Sequence, residues 1–224
     1  MPGKIENRIA LVFGTNGMVG GFIVRELQDH MAFSAVEVFN RKPIDYYHLK
    51  VREHTIDYNK LDEYAHLIKG DDLFICLGTT LRKAGSVQAV EQIDRDYPIR
   101  IAQIAYANGV SRVAVVSSMG ANPSSRNYYL RIKGEMEQGI REIPFEQIVI
   151  ARPSLLFGRR KDFRLGELIG KGFMLAIDFM MIGPLKKYAG ISAHKVATAM
   201  IALLKSSNRD IVYQSNVLHK FGKR

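Results

Sequence analysis

Arg8-Ile9-Ala10-Leu11-Val12-Phe13, followed by Gly14-Thr15-Asn16-Gly17-Met18-Val19-Gly20, decides how this chain is read. An apolar strand that runs into closely spaced glycines can turn sharply, approach a pyrophosphate with no Cβ in the way, and start a helix whose free amides face the anion. The residues after the turn, Phe22-Ile23-Val24-Arg25-Glu26-Leu27, carry apolar side chains on one helical side. The spacing is G-x-x-G-x-x-G, and such a triplet alone also occurs in turns that bind nothing. Its place between a strand and an amphipathic helix makes it a phosphate turn, with Gly14, Thr15, Asn16, Gly17, Met18, Val19 and Gly20 as expected cofactor contacts.

The alternation continues downstream. Short β-branched runs at 35–39, 51–56, 73–77, 113–117 and 147–150 read as strands, and helices lie between most of them. The clearest helix is 87–108, closed by Asn108-Gly109. Strands that alternate with helices imply a parallel sheet covered on both faces, a Rossmann-like doubly wound α/β fold. With 224 residues and 47% hydrophobic composition, the chain suits one domain, 1–224. We divide it into a core at 1–150 and a small C-terminal substrate cap at 151–224, where glycines at 158, 166, 170, 172, 183 and 190 break the rhythm before a helix at 193–204.

Composition narrows the functions. The single cysteine, Cys76, cannot form an intramolecular disulfide and reads as a small strand hydrophobe. The six histidines have no metal-ligand spacing, so no metal is expected. The N-terminus lacks a signal-like apolar stretch, which gives a cytoplasmic expectation, and the apolar run 173–182 holds Asp178 and is too short to span a membrane. The formal net charge of +10 is scattered rather than blocked, which argues against nucleic acid as partner and for attraction of an anionic cofactor or substrate, or for solubility. Gly166-x-x-x-Gly170-Lys171 is followed by Gly172 and lacks a P-loop hydroxyl.

The chemistry is expected at the ends of the strands. Arg41 and Lys42 follow the second strand about 20 residues after the glycines, where a cation favours a 2′-phosphate and hence NADP(H). Asp57 and Tyr58 would border the adenine, and Leu77, Gly78 and Thr79 would pass close to the cofactor. Ser117 and Ser118 end a strand, and Tyr129 and Lys133 lie four apart on one helical face, so that the ammonium would lower the phenol's pKa. A second pair with the same spacing, Tyr46 and Lys50, lies near the adenosine end and is read as accidental.

The glycine turn, Ser117-Ser118, the Tyr129/Lys133 pair and Arg152-Pro153-Ser154-Leu155-Leu156-Phe157-Gly158, in this order, resemble the short-chain dehydrogenase/reductase superfamily in its extended or atypical branches. Cys76-Leu77-Gly78-Thr79-Thr80, Asp94-Arg95-Asp96-Tyr97, Ser117-Ser118-Met119-Gly120-Ala121 and Tyr129-Leu130-Arg131-Ile132-Lys133-Gly134-Glu135 are similar to the Tat-interacting-protein-like NADPH-binding oxidoreductases. The resemblance implies that Ser118 binds a substrate carbonyl, with Ser117 as its substitute, that Tyr129 moves the proton, and that Lys133 also holds the nicotinamide ribose. It also implies that Arg152, Pro153 and Ser154 border the carboxamide. One departure is Asp94, which occupies the place where the superfamily often has an asparagine supporting a proton relay.

These features predict an NADP(H)-dependent oxidoreductase acting on a small carbonyl or alcohol. Arg159, Arg160, Lys161 and Arg164 would suit an anionic substrate or form a solvated surface. The alternative is an NADPH-binding regulatory or scaffold protein, with 173–182 as a surface for a protein partner.

Overall fold

After its first residues β1 (Arg8–Phe13) is wholly apolar and buried, as befits a strand with a neighbour on each side and a layer on each face. In the computed structural model, which describes residues 7–157, 190–206 and 211–221, β1 pairs in parallel with β2 (Phe33–Asn40) on one side and β4 (Asp72–Ile75) on the other. Beyond β2 lies β3 (Val51–Thr55), and beyond β4 follow β5 (Arg112–Val116), β6 (Gln147–Arg152) and β9 (Val212–Gln214). The order is β3-β2-β1-β4-β5-β6-β9, parallel throughout. The order reverses between β1 and β4, and in such sheets the crevice past the strand ends at the reversal holds the ligand.

Two apolar layers cover the sheet. On one face α1 (Met18–Gln28) packs with α6 (Ala193–Lys205) and α7 (Ser215–Phe221) around Ile23, Leu27, Val196 and Met200. On the other, α4 (Tyr97–Ala107), α5 (Tyr128–Arg141) and a 3₁₀ segment at Tyr58–Leu67 enclose Leu11, Ile75, Ile101 and Met136. Two short helices, α2 (Leu81–Ala84) and α3 (Val87–Glu91), follow β4. The helix expected at 87–108 is observed as α3, a π turn at Gln92–Asp96 and α4.

The C-terminal third divides. Residues 158–189, including the basic cluster at 159–164 and the apolar run at 173–182, lie outside the described residues. The remainder joins the core: α6 packs on α1, and β9 extends the main sheet beside β6. A second, two-stranded sheet pairs β7 (Leu156–Phe157) with β8 (Ile191–Ser192). The ring of Phe157 fills the place a Cβ would take at Gly190, so the chain closes on itself there only because that residue has no side chain.

Candidate active site

The glycine turn is built by contact with the next strand. Gly14 has φ +83°, and a Cβ on it would lie 2.6 Å from the backbone of Cys76. Gly17 donates its amide to the Gly14 carbonyl at 2.9 Å and caps α1 with no side chain, and no acidic residue occupies the helix's first turn. The positive end of the helix therefore opens on the crevice. Asn16 and Gly17 line a cavity of about 270 Å³ there, and Met18 lines a second one beyond. Thr15, Val19 and Gly20 are buried and shape the turn instead: Thr15 donates to Asn40 at 2.7 Å, Val19 is core, and Gly20 lies against the Gly14 backbone.

Around the first cavity stand Arg41, Tyr58, Leu77, Gly78 and Thr79, as the sequence suggested. Arg41 is exposed and forms no ion pair among the described residues, whereas Lys42, also exposed, is not part of the wall. Tyr58 donates to the Phe39 carbonyl at 2.8 Å, and burial raises its pKa. Asp57 is corrected: its carboxylate caps the 3₁₀ segment, accepting from Asn59 N at 2.9 Å, and it does not line the cavity. Asn40 was missed. It links Thr15 to Glu53 through Nδ2 at 2.9 Å, and Glu53 in turn accepts from the amides of Ile44 and Asp45. Burial pushes the thiol of Cys76, a residue that also lines this cavity, up to about 12.

The second cavity, about 540 Å³, meets the first at Thr79 and is lined by Ser118, Tyr129, Pro153 and Ser154. Asn127 caps α5 by accepting from the amides of Tyr129 and Leu130, which fixes the start of the helix that carries the tyrosine. Four residues along, Lys133 is 3% exposed. Its Nζ lies 2.8 Å from Oδ1 of Asp94, itself fully buried, and 3.4 Å from the Val116 carbonyl. The other Asp94 oxygen accepts from Thr79 N at 2.8 Å. Burial pulls the Lys133 pKa down, but Asp94 most of all, with Tyr129 and Glu137, holds it above the ordinary lysine value. Asp94 lies within the π turn and ties the ammonium to the loop after β4.

Ser117 and Ser118 both border this cavity, with their hydroxyls engaged differently. Ser117 donates to Glu137 at 2.5 Å, whereas Ser118 has only a 3.3 Å contact to the neighbouring Met119 carbonyl. Arg152 is corrected as a cofactor contact: its guanidinium grips the buried Glu137 with two hydrogen bonds, 2.7 and 2.6 Å, and it is absent from the cavity wall. Tyr46 and Lys50 lie outside any helix, so their spacing does not pair them as it pairs Tyr129 and Lys133. No group of three or more His, Cys, Asp or Glu among the described residues is placed to hold a metal ion, and no described helix is long and apolar enough to cross a membrane.

A search of protein families matches residues 14–207 to the NAD(P)H-binding family. The chain is 35% identical to protein HTATIP2 of Rattus norvegicus over 76% of this chain and 72% of that protein. It is 33% identical to the mitochondrial protein FMP52 of Candida glabrata, over 72% of this chain and 70% of that protein. Two solved epimerases share the fold. One is a UDP-N-acetylglucosamine 4-epimerase from Methanobrevibacter ruminantium M1, with TM-score 0.67 and 16% identity over 96% of this chain and 81% of that one. The other is the ADP-L-glycero-D-manno-heptose-6-epimerase of Helicobacter pylori, with TM-score 0.67 and 17% identity over 100% and 84%. The cytoplasmic expectation is overturned by these relatives, because FMP52 proteins of several fungi are named mitochondrial.

Proposed function

Because the chain belongs to the NAD(P)H-binding family, we propose that it is an NADP(H)-dependent oxidoreductase acting on a small carbonyl or alcohol. One observation carries this reading: a cavity under the glycine turn and a cavity at Ser118 and Tyr129 meet at Thr79. The residues fit a dinucleotide. Gly14 lets the turn close against the Cys76 backbone, the N-terminus of α1 offers amides to the pyrophosphate, and Arg41 supplies a cation not engaged by any described carboxylate for a 2′-phosphate. When bound, the cofactor supplies hydride chemistry.

The protein's own residues handle the proton and the orientation. Ser118 hydrogen-bonds the substrate oxygen, because its neighbour Ser117 is committed to Glu137. Tyr129 donates the proton during reduction or removes it during oxidation. Lys133 places a positive charge beside the phenol, and Asp94 keeps that charge in place. Calorimetric titration tests the cofactor half. NADPH is expected to bind about tenfold or more tighter than NADH, with the preference abolished in Arg41→Ala, and equal affinities would refute the NADP(H) assignment.

The Asp94–Lys133 ion pair favours a second reading, an NADPH-binding regulatory protein with little turnover. A carboxylate 2.8 Å from the ammonium offsets the field that would act on Tyr129. Tight NADPH binding without turnover of any carbonyl would select this reading. A Tyr129→Phe variant that lowers an observed turnover by about 10²-fold or more would select the enzyme.

A further inference from the structure

Resting on the enzymatic reading, we propose that the substrate pocket takes an uncharged, lipophilic aldehyde or ketone, or the matching alcohol, rather than an anionic one. Met18, Leu81, Val90, Met119, Leu155 and Leu156 supply its apolar wall. Its polar members are neutral hydroxyl residues such as Thr80, Ser118, Tyr128 and Ser154, and no charged side chain lines it among the described residues. A volume of about 540 Å³ is ordinary for a small-molecule site. Leu81, 41% exposed on the short helix after β4, gives the mouth an apolar lip.

The charges beneath the wall are already spent on one another. Lys133 is paired with Asp94 at 2.8 Å, and Glu137 with Arg152 at 2.7 and 2.6 Å. Arg141 adds a third contact to Glu137 at 3.5 Å, so each of these ions has an opposite charge against it, and Ser117, which could have donated to a carboxylate, already donates to Glu137. An anion entering here loses its hydration and meets no cation on the described walls, which is unfavourable. An alkyl or aryl group loses ordered water and gains contacts. The cations at 159–164, read from sequence as suiting an anionic substrate, lie outside the described residues.

The reduction balances. The carbonyl carbon gains a hydride as the C=O π bond breaks, the oxygen gains the Tyr129 proton, solvent reprotonates the tyrosine, and NADPH becomes NADP⁺.

The test follows NADPH oxidation with butanal, pentanal, hexanal and octanal, and with succinic semialdehyde as the charged counterpart of pentanal. We expect kcat/KM to rise about threefold per added methylene. Pentanal should exceed the semialdehyde by about a hundredfold, and Met119→Lys should narrow that ratio while the affinity for NADPH stays unchanged. A flat series, or a semialdehyde faster than pentanal, would overturn the proposal while leaving the oxidoreductase reading intact. Absence of turnover with every carbonyl, with NADPH still bound, would instead overturn the reading beneath it. The pocket is then decided by calorimetry of the NADP-loaded protein: octanol binding more tightly than octanoate supports it, and the reverse sinks it.

Discussion

The two ends of the crevice treat charge in opposite ways. At the glycine turn the polar side chains are consumed in building the wall, with Thr15 on Asn40 and Asn40 on Glu53, while the cation Arg41 is left open among the described residues. At the Ser118 end the wall is apolar and hydroxyl-bearing, and the ions beneath it are paired, Lys133 with Asp94 and Glu137 with Arg152. The ends of the strands thus carry, in the reading proposed here, an anion site and a neutral site. What separates them is the pairing of their ions, because each end has cations near it.

The pairing can be broken directly. Glu137→Leu strands the Arg152 guanidinium, and breaking a buried pair in this way is expected to cost ~3–5 kcal/mol of stability, read from urea unfolding. A loss below ~1 kcal/mol would show that Arg152 finds water instead and that the two ends differ less than their geometry suggests. Next in size is Gly14→Ala, whose added Cβ would lie 2.6 Å from the Cys76 backbone. It should weaken NADPH binding by about a hundredfold, or ~2.7 kcal/mol, while leaving octanol binding at the far end within about twofold. Equal losses at both ends would mean that the turn supports the whole crevice.

The smallest effect is in the pH dependence. The Lys133 pKa is raised in the folded protein by Asp94, so its stabilisation is complete below the unfolded lysine value of about 10.4 and is lost as pH rises through the folded value. Above about pH 10 the urea midpoint of the wild type should therefore fall more steeply than that of the Asp94→Asn, Lys133→Met double variant. Parallel curves would show that the pair contributes nothing to folding.

The fold was legible where periodicity and turn chemistry agreed. Strands at 35–39 and 113–117 and the Asn108-Gly109 stop stand within a residue or two of the observed elements. The short strands β7, β8 and β9, two or three residues each, offer no period to read. The π turn hides inside a helical pattern because one extra residue per turn leaves the apolar rhythm on either side intact, although it carries the buried Asp94. Residues that follow from chain order, such as Gly14, Ser118 and Tyr129, line the two cavities. Arg152 did not, since a strand-end side chain can face either side and only the fold brings Glu137 beneath it. Asp57 was claimed by a local cap, and Asn40 gains its meaning from Thr15 and Glu53, neither adjacent in sequence.

The short β7–β8 pairing, with Gly190 seated on the Phe157 ring, works like a drawstring. It brings together Leu156–Phe157, which follows β6, and Ile191–Ser192, which leads into α6. Its closure is therefore set by one ring and one missing side chain, separately from the seven-stranded sheet that positions the two cavities.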